Sequence, residues 1–141
     1  MLKKKLGIES IEADRNIRIN LRHYYKIPST LIIPDGVEKI GYRAFSECPR
    51  IKKVEISGSV KNIGGCAFGG CRKLKKVEIP KSVDYIGVSA FAGCGKAEII
   101  IENTEEGIEI EPYAFFECKN VEYVKEKTRN RSNREKLGGD L

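Results

Sequence analysis

Five cysteines and one histidine are the residues of this 141-residue chain best suited to redox, metal or nucleophilic chemistry. Four of the cysteines, Cys48, Cys71, Cys94 and Cys118, fall at intervals of 23, 23 and 24 residues. Each stands three residues after the phenylalanine of an Ala-Phe pair: Ala44-Phe45, Ala67-Phe68, Ala90-Phe91 and Ala114-Phe115. Cysteines of a disulfide framework or a zinc site come from different positions of a fold and converge. Four in one repeating column would instead make a ladder of parallel Cβ vectors, which is poor bridging geometry. They read as buried free thiols packing as small apolar residues. Cys66 stands apart, because its column holds Arg43, Ser89 and Tyr113, a variable set that implies exposure; beside Lys73 or Lys75 such a thiol would be reactive. His23 has Arg22 and Tyr24-Tyr25 around it and no acid partner. No phosphate loop, Cys-x-x-Cys pair or nucleophile motif occurs, and Gly64-Gly65 and Gly69-Gly70 belong to turns. The expectation is a protein that is not an enzyme, with no cofactor and no metal.

A near-constant period of 23 residues signals a solenoid, in which similar coils stack and share one core. Aligned on Ala-Phe, three units run Leu31 to Lys53, Val54 to Lys76 and Val77 to Ile99. Val54/Ile56 and Val77/Ile79 alternate with Glu55 and Glu78, the period of a strand with one buried face, and such strands would stack in parallel. Pro34 and Pro80 end their strands because proline cannot donate to a ladder. Val37, Val60 and Val83, each three residues before Ile40, Ile63 and Ile86, form the next inward turn. Gly41, Gly64 and Gly87 follow, where the backbone needs either positive φ or close approach to the next coil. Ala-Phe-x-x-Cys fits one helical turn, since spacings of three and four share a face. Ile51, Leu74, Ala97 and Val121 then re-enter the core. The fourth unit carries one extra residue, the stretch 102–107 in place of a Pro-x-Ser turn, and the run Ile99-Ile100-Ile101, whose register is ambiguous by one. Val121 to Val124 looks like a closing strand, and Ile17 to Leu21 like an early one with Ile8 and Ile11 before it. The division expected is an N-terminal cap at 1–30, a solenoid at 31–124 and a basic flexible tail at 125–141.

The formal charge is +6, but its location argues against nucleic acid. Lys3, Lys4 and Lys5 supply three charges and residues 125–141 a net three more, leaving 17 basic and 17 acidic side chains between 6 and 124. A neutral body lacks the concentrated basic face that neutralises phosphates. No apolar run approaches a membrane span or the core of a secretory leader, so the chain as given is expected to be cytoplasmic, or the mature part of something longer.

The segments LIIPDGVEKIGYRAFSEC (31–48) and VEIPKSVDYIGVSAFAGC (77–94) resemble the BspA-like class of leucine-rich repeats, with Ile-Pro, Ile-Gly and Ala-Phe-x-x-Cys together in register. The resemblance covers residues 31–124. It implies a right-handed α/β solenoid of about four coils, with short parallel strands on the concave face and short helical turns opposite. It also implies recognition or adhesion, in a family of mostly large surface or secreted proteins, and it carries no catalytic residues. On the strand face the outward residues would be Lys53, Glu55, Lys76 and Glu78, with Tyr123 and Lys125 near the end. Like charges would stack along the solenoid and opposite charges would sit diagonally. The expected function is a partner-binding module for a protein or glycan on that face. The alternatives are a structural section of a longer array, able to self-associate end to end, and an acidic-partner or nucleic-acid binder using the basic termini.

Overall fold

The computed structural model describes residues 28–124, together with the backbone of two strands before them, at 8–11 and 16–19. His23, the lysines near the start and the 125–141 segment lie outside the described residues. In chain order the strands are β1 (Ile8–Ile11), β2 (Asn16–Ile19), β3 (Thr30–Ile33), β4 (Lys39–Ile40), β5 (Lys53–Ile56), β6 (Asn62–Ile63), β7 (Lys76–Ile79), β8 (Tyr85–Ile86), β9 (Glu98–Ile101), β10 (Glu109–Ile110) and β11 (Asn120–Tyr123).

They stack into two sheets that are the two strand-bearing sides of a solenoid. One sheet has five parallel strands in the order β11-β9-β7-β5-β3, and the other has six in the order β1-β2-β4-β6-β8-β10. Among the described strands only β1 runs antiparallel, lying along β2, so the six-stranded sheet begins with a reversed edge. β2 itself pairs in parallel with β4, Ile17 against Ile40, one repeat period before it. The early strands expected around Ile8, Ile11 and Ile17 are therefore present.

The core is a set of columns. Leu31, Val54, Val77 and Ile99 are buried in one, Ile40, Ile63 and Ile86 in another, and Ala44, Ala67, Ala90 and Ala114 in a third. The phenylalanines stack face to face, with centroids 5.4 Å apart for Phe45–Phe68, 5.1 Å for Phe68–Phe91 and 5.7 Å for Phe91–Phe115. No polar side chain is fully buried among the described residues. The stack thus rests on apolar area and on hydrogen bonds between coils.

The Ala-Phe-x-x-Cys segment is not a helical turn. Its N–H groups alternate between two kinds of acceptor. Ala44, Ser46 and Cys48 donate three residues back, to Gly41, Arg43 and Phe45. Arg43, Phe45 and Glu47 donate to Gly65, Ala67 and Gly69 of the following coil, at 3.0, 2.8 and 2.6 Å. A helix would turn every N–H inward along its own axis; here half of them tie one coil to the next. The alternation needs left-handed backbone at two points per coil. Arg43 (φ 57°), Cys66 (54°), Ser89 (57°) and Tyr113 (61°) fill one column, and Glu47 (58°), Gly70 (75°), Gly93 (78°) and Glu117 (64°) the other. Six of the eight are not glycine, and each costs about 1–2 kcal/mol that the inter-coil bonds offset.

Gly64 and Gly87 serve close approach, not positive φ. A Cβ on Gly64 would stand 2.8 Å from the Ile40 carbonyl oxygen, and one on Gly87 2.5 Å from the Gly65 nitrogen.

The fourth unit keeps its place by two compensating changes. β9 pairs with β7 as Val77↔Ile99 and Ile79↔Ile101, which buries Ile99 and Ile101 and turns Ile100 outward opposite Glu78. The interval from Ile79 to Ile101 is thus 22 residues, and that from Ile86 to Ile110 is 24. In the lengthened loop, the Asn103 side-chain amide donates to the carbonyls of Lys81 (3.2 Å), Val83 (3.0 Å) and Gly107 (3.1 Å). It replaces by side chain the inter-coil bonding that Ser57 and Ser59 give the second coil, where their hydroxyls donate to Pro34 O and Val37 O. Val121 does not re-enter the core beside Ala97. It pairs with Ile99 at the sheet edge and is exposed, because the corner after Cys118 is too short to repeat the earlier one.

Among the described residues no helix is long and apolar enough to cross a membrane.

Candidate functional site

The five-stranded sheet presents two outward rows. Lys53 stands against Lys76 and Glu55 against Glu78, so like charges stack from coil to coil as the repeat pattern predicts. The opposite charges meet along each strand rather than diagonally. Lys53 Nζ lies 3.2 Å from Glu55 Oε1 and Lys76 Nζ 3.1 Å from Glu78 Oε1, residues two apart on the same strand face. All four side chains are about half exposed, so each pair contributes about 0–1 kcal/mol. They surround an open depression of about 300 Å³, closed at one side by Pro80 and Glu102. Ile100 continues the glutamate row and Lys119 bonds Glu98 at 3.6 Å, so the strip becomes apolar, then acidic, toward β11.

Four of the five expected site residues are therefore brought together. Tyr123 is not with them. It pairs with Ile101 in the inward column and packs half-buried against the core, because alternation from Ile99 places Glu122, not Tyr123, outward. Burial raises its hydroxyl pKa, and Glu105 and Glu106 add to the effect. Counting strand to strand, by 22 after Ile79, would have placed it; counting on Ala-Phe does not. Also missed were exposed aromatics on the turn side: Tyr42, Tyr113 and Phe116, the last two in edge-to-face contact at 5.7 Å.

The cysteine ladder is structural. Cys48, Cys71 and Cys94 are buried, Cys118 is partly so, and all are free. Cys71 Sγ donates to Phe45 O (3.2 Å), Cys94 Sγ to Phe68 O (3.2 Å) and Cys118 Sγ to Phe91 O (3.3 Å). Each thiol thus reaches the preceding coil's phenylalanine carbonyl. Burial pushes Cys48 and Cys71 up to about 12 and Cys118 to about 11, and raises Cys94 further. Such thiols are not nucleophiles at neutral pH. Cys66 is half-exposed in left-handed backbone, in a shallow groove with Arg43, Ser46 and Ser89; Lys73 lines a different depression, beside Glu47 and Arg72.

Two outcomes follow from the ladder. In the native protein a thiol reagent modifies Cys66 first, while Cys48, Cys71 and Cys94 wait for unfolding; simultaneous labelling of all five would contradict the burial. The second concerns pH. Below the ordinary value of 9.0 the thiols are neutral in folded and unfolded chain alike, and their contribution is intact. Above it the unfolded thiols ionise while Cys48 and Cys71 stay neutral to about 12, so stability falls through that window. Urea midpoints measured between about pH 8 and about pH 10.5 should decline less steeply in Cys48→Ala/Cys71→Ala than in the parent.

The comparisons with known proteins agree with this geometry. No curated protein matches the chain. Among solved structures, the pneumococcal vaccine antigen PcpA is similar at 28% identity and a TM-score of 0.56, over 67% of this chain and 24% of that one. A leucine-rich repeat protein from Bacteroides ovatus is similar at 27% identity and a TM-score of 0.58, over 76% and 35%. A leucine-rich cell surface protein from Faecalibacterium prausnitzii is similar at 25% identity and a TM-score of 0.53, over 89% and 38%. The chain therefore matches well under half the length of each. The profile of the BspA type leucine rich repeat region matches residues 4–132 in six copies. Repeat period, stacked columns and profile lead to one assignment: the chain belongs to the BspA-type leucine-rich repeat family.

Proposed function

We propose that the protein is a non-catalytic interaction module that binds a protein or glycan partner on the face of its five-stranded sheet. The observation that carries this is the strip of Lys53, Glu55, Lys76 and Glu78 around an open depression. Flat parallel strands hold these side chains at fixed spacing, so the order cost on binding is small. Mixed charge at the rim favours specificity and on-rate over raw affinity. The vaccine antigen and the cell surface protein among its structural neighbours support a recognition role, at a cell surface if the chain is part of a longer protein. Residues 1–30 would then serve as the cap of the array.

The test compares the parent with Lys53→Glu/Lys76→Glu against a panel of immobilised matrix proteins and glycans. Binding of the reversed protein should fall by about tenfold or more on the partner that the parent selects. Its Tm should stay within a few degrees, since exposed pairs contribute little. Equal loss of binding and stability would defeat the assignment.

A further inference from the structure

We propose that the C-terminal end of the solenoid binds a basic, extended segment of another polypeptide, which adds alongside residues 113–124 as a following coil would.

Among the described residues the end is an interface made by one side only. Between inner coils, three N–H groups of each turn donate to the next coil: Ser89 to Pro112 O (3.3 Å), Phe91 to Ala114 O (2.7 Å) and Gly93 to Phe116 O (2.8 Å). In the last coil the equivalent donors are the N–H groups of Tyr113, Phe115 and Glu117, and none bonds a described residue. Tyr113 and Glu117 already hold the left-handed backbone that aims this row along the axis. A few residues on, β11 is the edge of its sheet, with no strand beyond it among the described residues. Phe116, Val121 and Val124 stand exposed along the same contiguous stretch. An open parallel edge with apolar side chains is a template for strand addition.

Charge selects the occupant. Residues 98–124 hold eight glutamates (98, 102, 105, 106, 109, 111, 117 and 122) against Lys119 alone, whereas residues 28–97 hold twelve basic and six acidic side chains. The body is neutral only in sum. Its last coil has a net charge of −7, with Glu105 and Glu106 close to Tyr123 on β11. A second copy of this chain suits the end poorly. Tail to tail, it would set donor row against donor row and acid against acid. Head to tail, it would bring the antiparallel β1 against β10, at the edge of the six-stranded sheet, where the stack otherwise continues in parallel. A lysine- or arginine-rich segment with free carbonyls at alternate residues meets both demands.

The probe is a fluorescent synthetic peptide of residues 64–79 carrying Cys66→Ser and Cys71→Ser, an inner coil segment with four basic residues against Glu78. Anisotropy with the full chain should show saturable binding. It should weaken about tenfold or more in Glu105→Lys/Glu106→Lys/Glu122→Lys, and stay unchanged in Asp35→Lys/Asp84→Lys, which alters charge elsewhere. A peptide N-methylated through its last four residues should also lose binding, because strand addition needs its N–H groups. Equal binding of the methylated peptide would reduce the effect to charge alone and overturn the proposal, as would no saturable binding. Binding that emerges only when Lys125, Lys127, Arg129 and Arg131 are changed to Gln would assign the end to the chain's own terminal segment, against the proposal. Concentration-dependent dimers that exclude the peptide would assign it to a second copy and would likewise overturn the proposal.

Discussion

Phe68→Ala should destabilise the protein by about 3–5 kcal/mol, a large fraction of the stability of a domain this size. The ring is fully buried and sandwiched, with Phe45 at 5.4 Å on one side and Phe91 at 5.1 Å on the other, at interplanar angles of 13° and 9°. Removing it loses transfer free energy and leaves a gap that the neighbouring coils cannot close. Their separation is held by strand pairing and by the Phe45→Ala67 and Phe68→Ala90 hydrogen bonds on either side of the ring. In a solenoid the damage is local in contacts but global in consequence, since stability is a sum of nearest-neighbour interfaces and the middle coil shares in two of them. Phe115→Ala supplies the contrast: that ring is only partly buried and has one stacking partner among the described residues, Phe91, so its loss should cost clearly less. Urea unfolding of both variants by circular dichroism checks the ordering. If the two losses were equal, the stack would not be the continuous column described.

How much of this is legible in the sequence depends on whether a residue repeats. Ala44-Phe45 and its three copies fix the period because each column demands one side-chain shape, and a period of 23 admits few architectures. The turn they occupy reads as helical because spacings of three and four suit a helix and suit this turn equally. Nothing in Ala-Phe-x-x-Cys reveals that alternate N–H groups leave for the next coil. The left-handed positions carry Arg43, Glu47, Cys66 and Ser89, residues with no αL signature of their own. Of the candidate site, Lys53, Glu55, Lys76 and Glu78 are legible since Val54 and Val77 set the alternation. Tyr123 is not, because the fourth unit loses a residue at one corner and gains two in the loop after Ile101, and Ala-Phe spacing records only the net change. The acidic last coil is hidden by summation: charge counted over 6–124 cancels, though the two parts of the stack carry opposite signs.

The register of β9 supports the second large effect. Ile99 and Ile100 are adjacent, chemically identical and equal in strand propensity, so only their direction distinguishes them. Ile99 is wholly buried opposite Val77 and Val121, while Ile100 faces outward opposite Glu78 and Glu122. Ile99→Asp would place a carboxylate in a core with no fully buried polar partner among the described residues. A charge so buried either ionises without a partner or takes up a proton, and both routes cost several kcal/mol. The variant should unfold at room temperature or lose more than about 4 kcal/mol. Ile100→Asp should change stability by about 1 kcal/mol or less. The direction of that small change is also set by position: the new acid stands between Glu78 and Glu122, so the loss should shrink as salt rises to about 0.5 M, whereas Ile99→Asp should gain little. Thermal unfolding of the pair at two salt concentrations decides the register. Reversed outcomes would mean a slip of one residue in β9, with Ile100 turned inward and Ile99 outward.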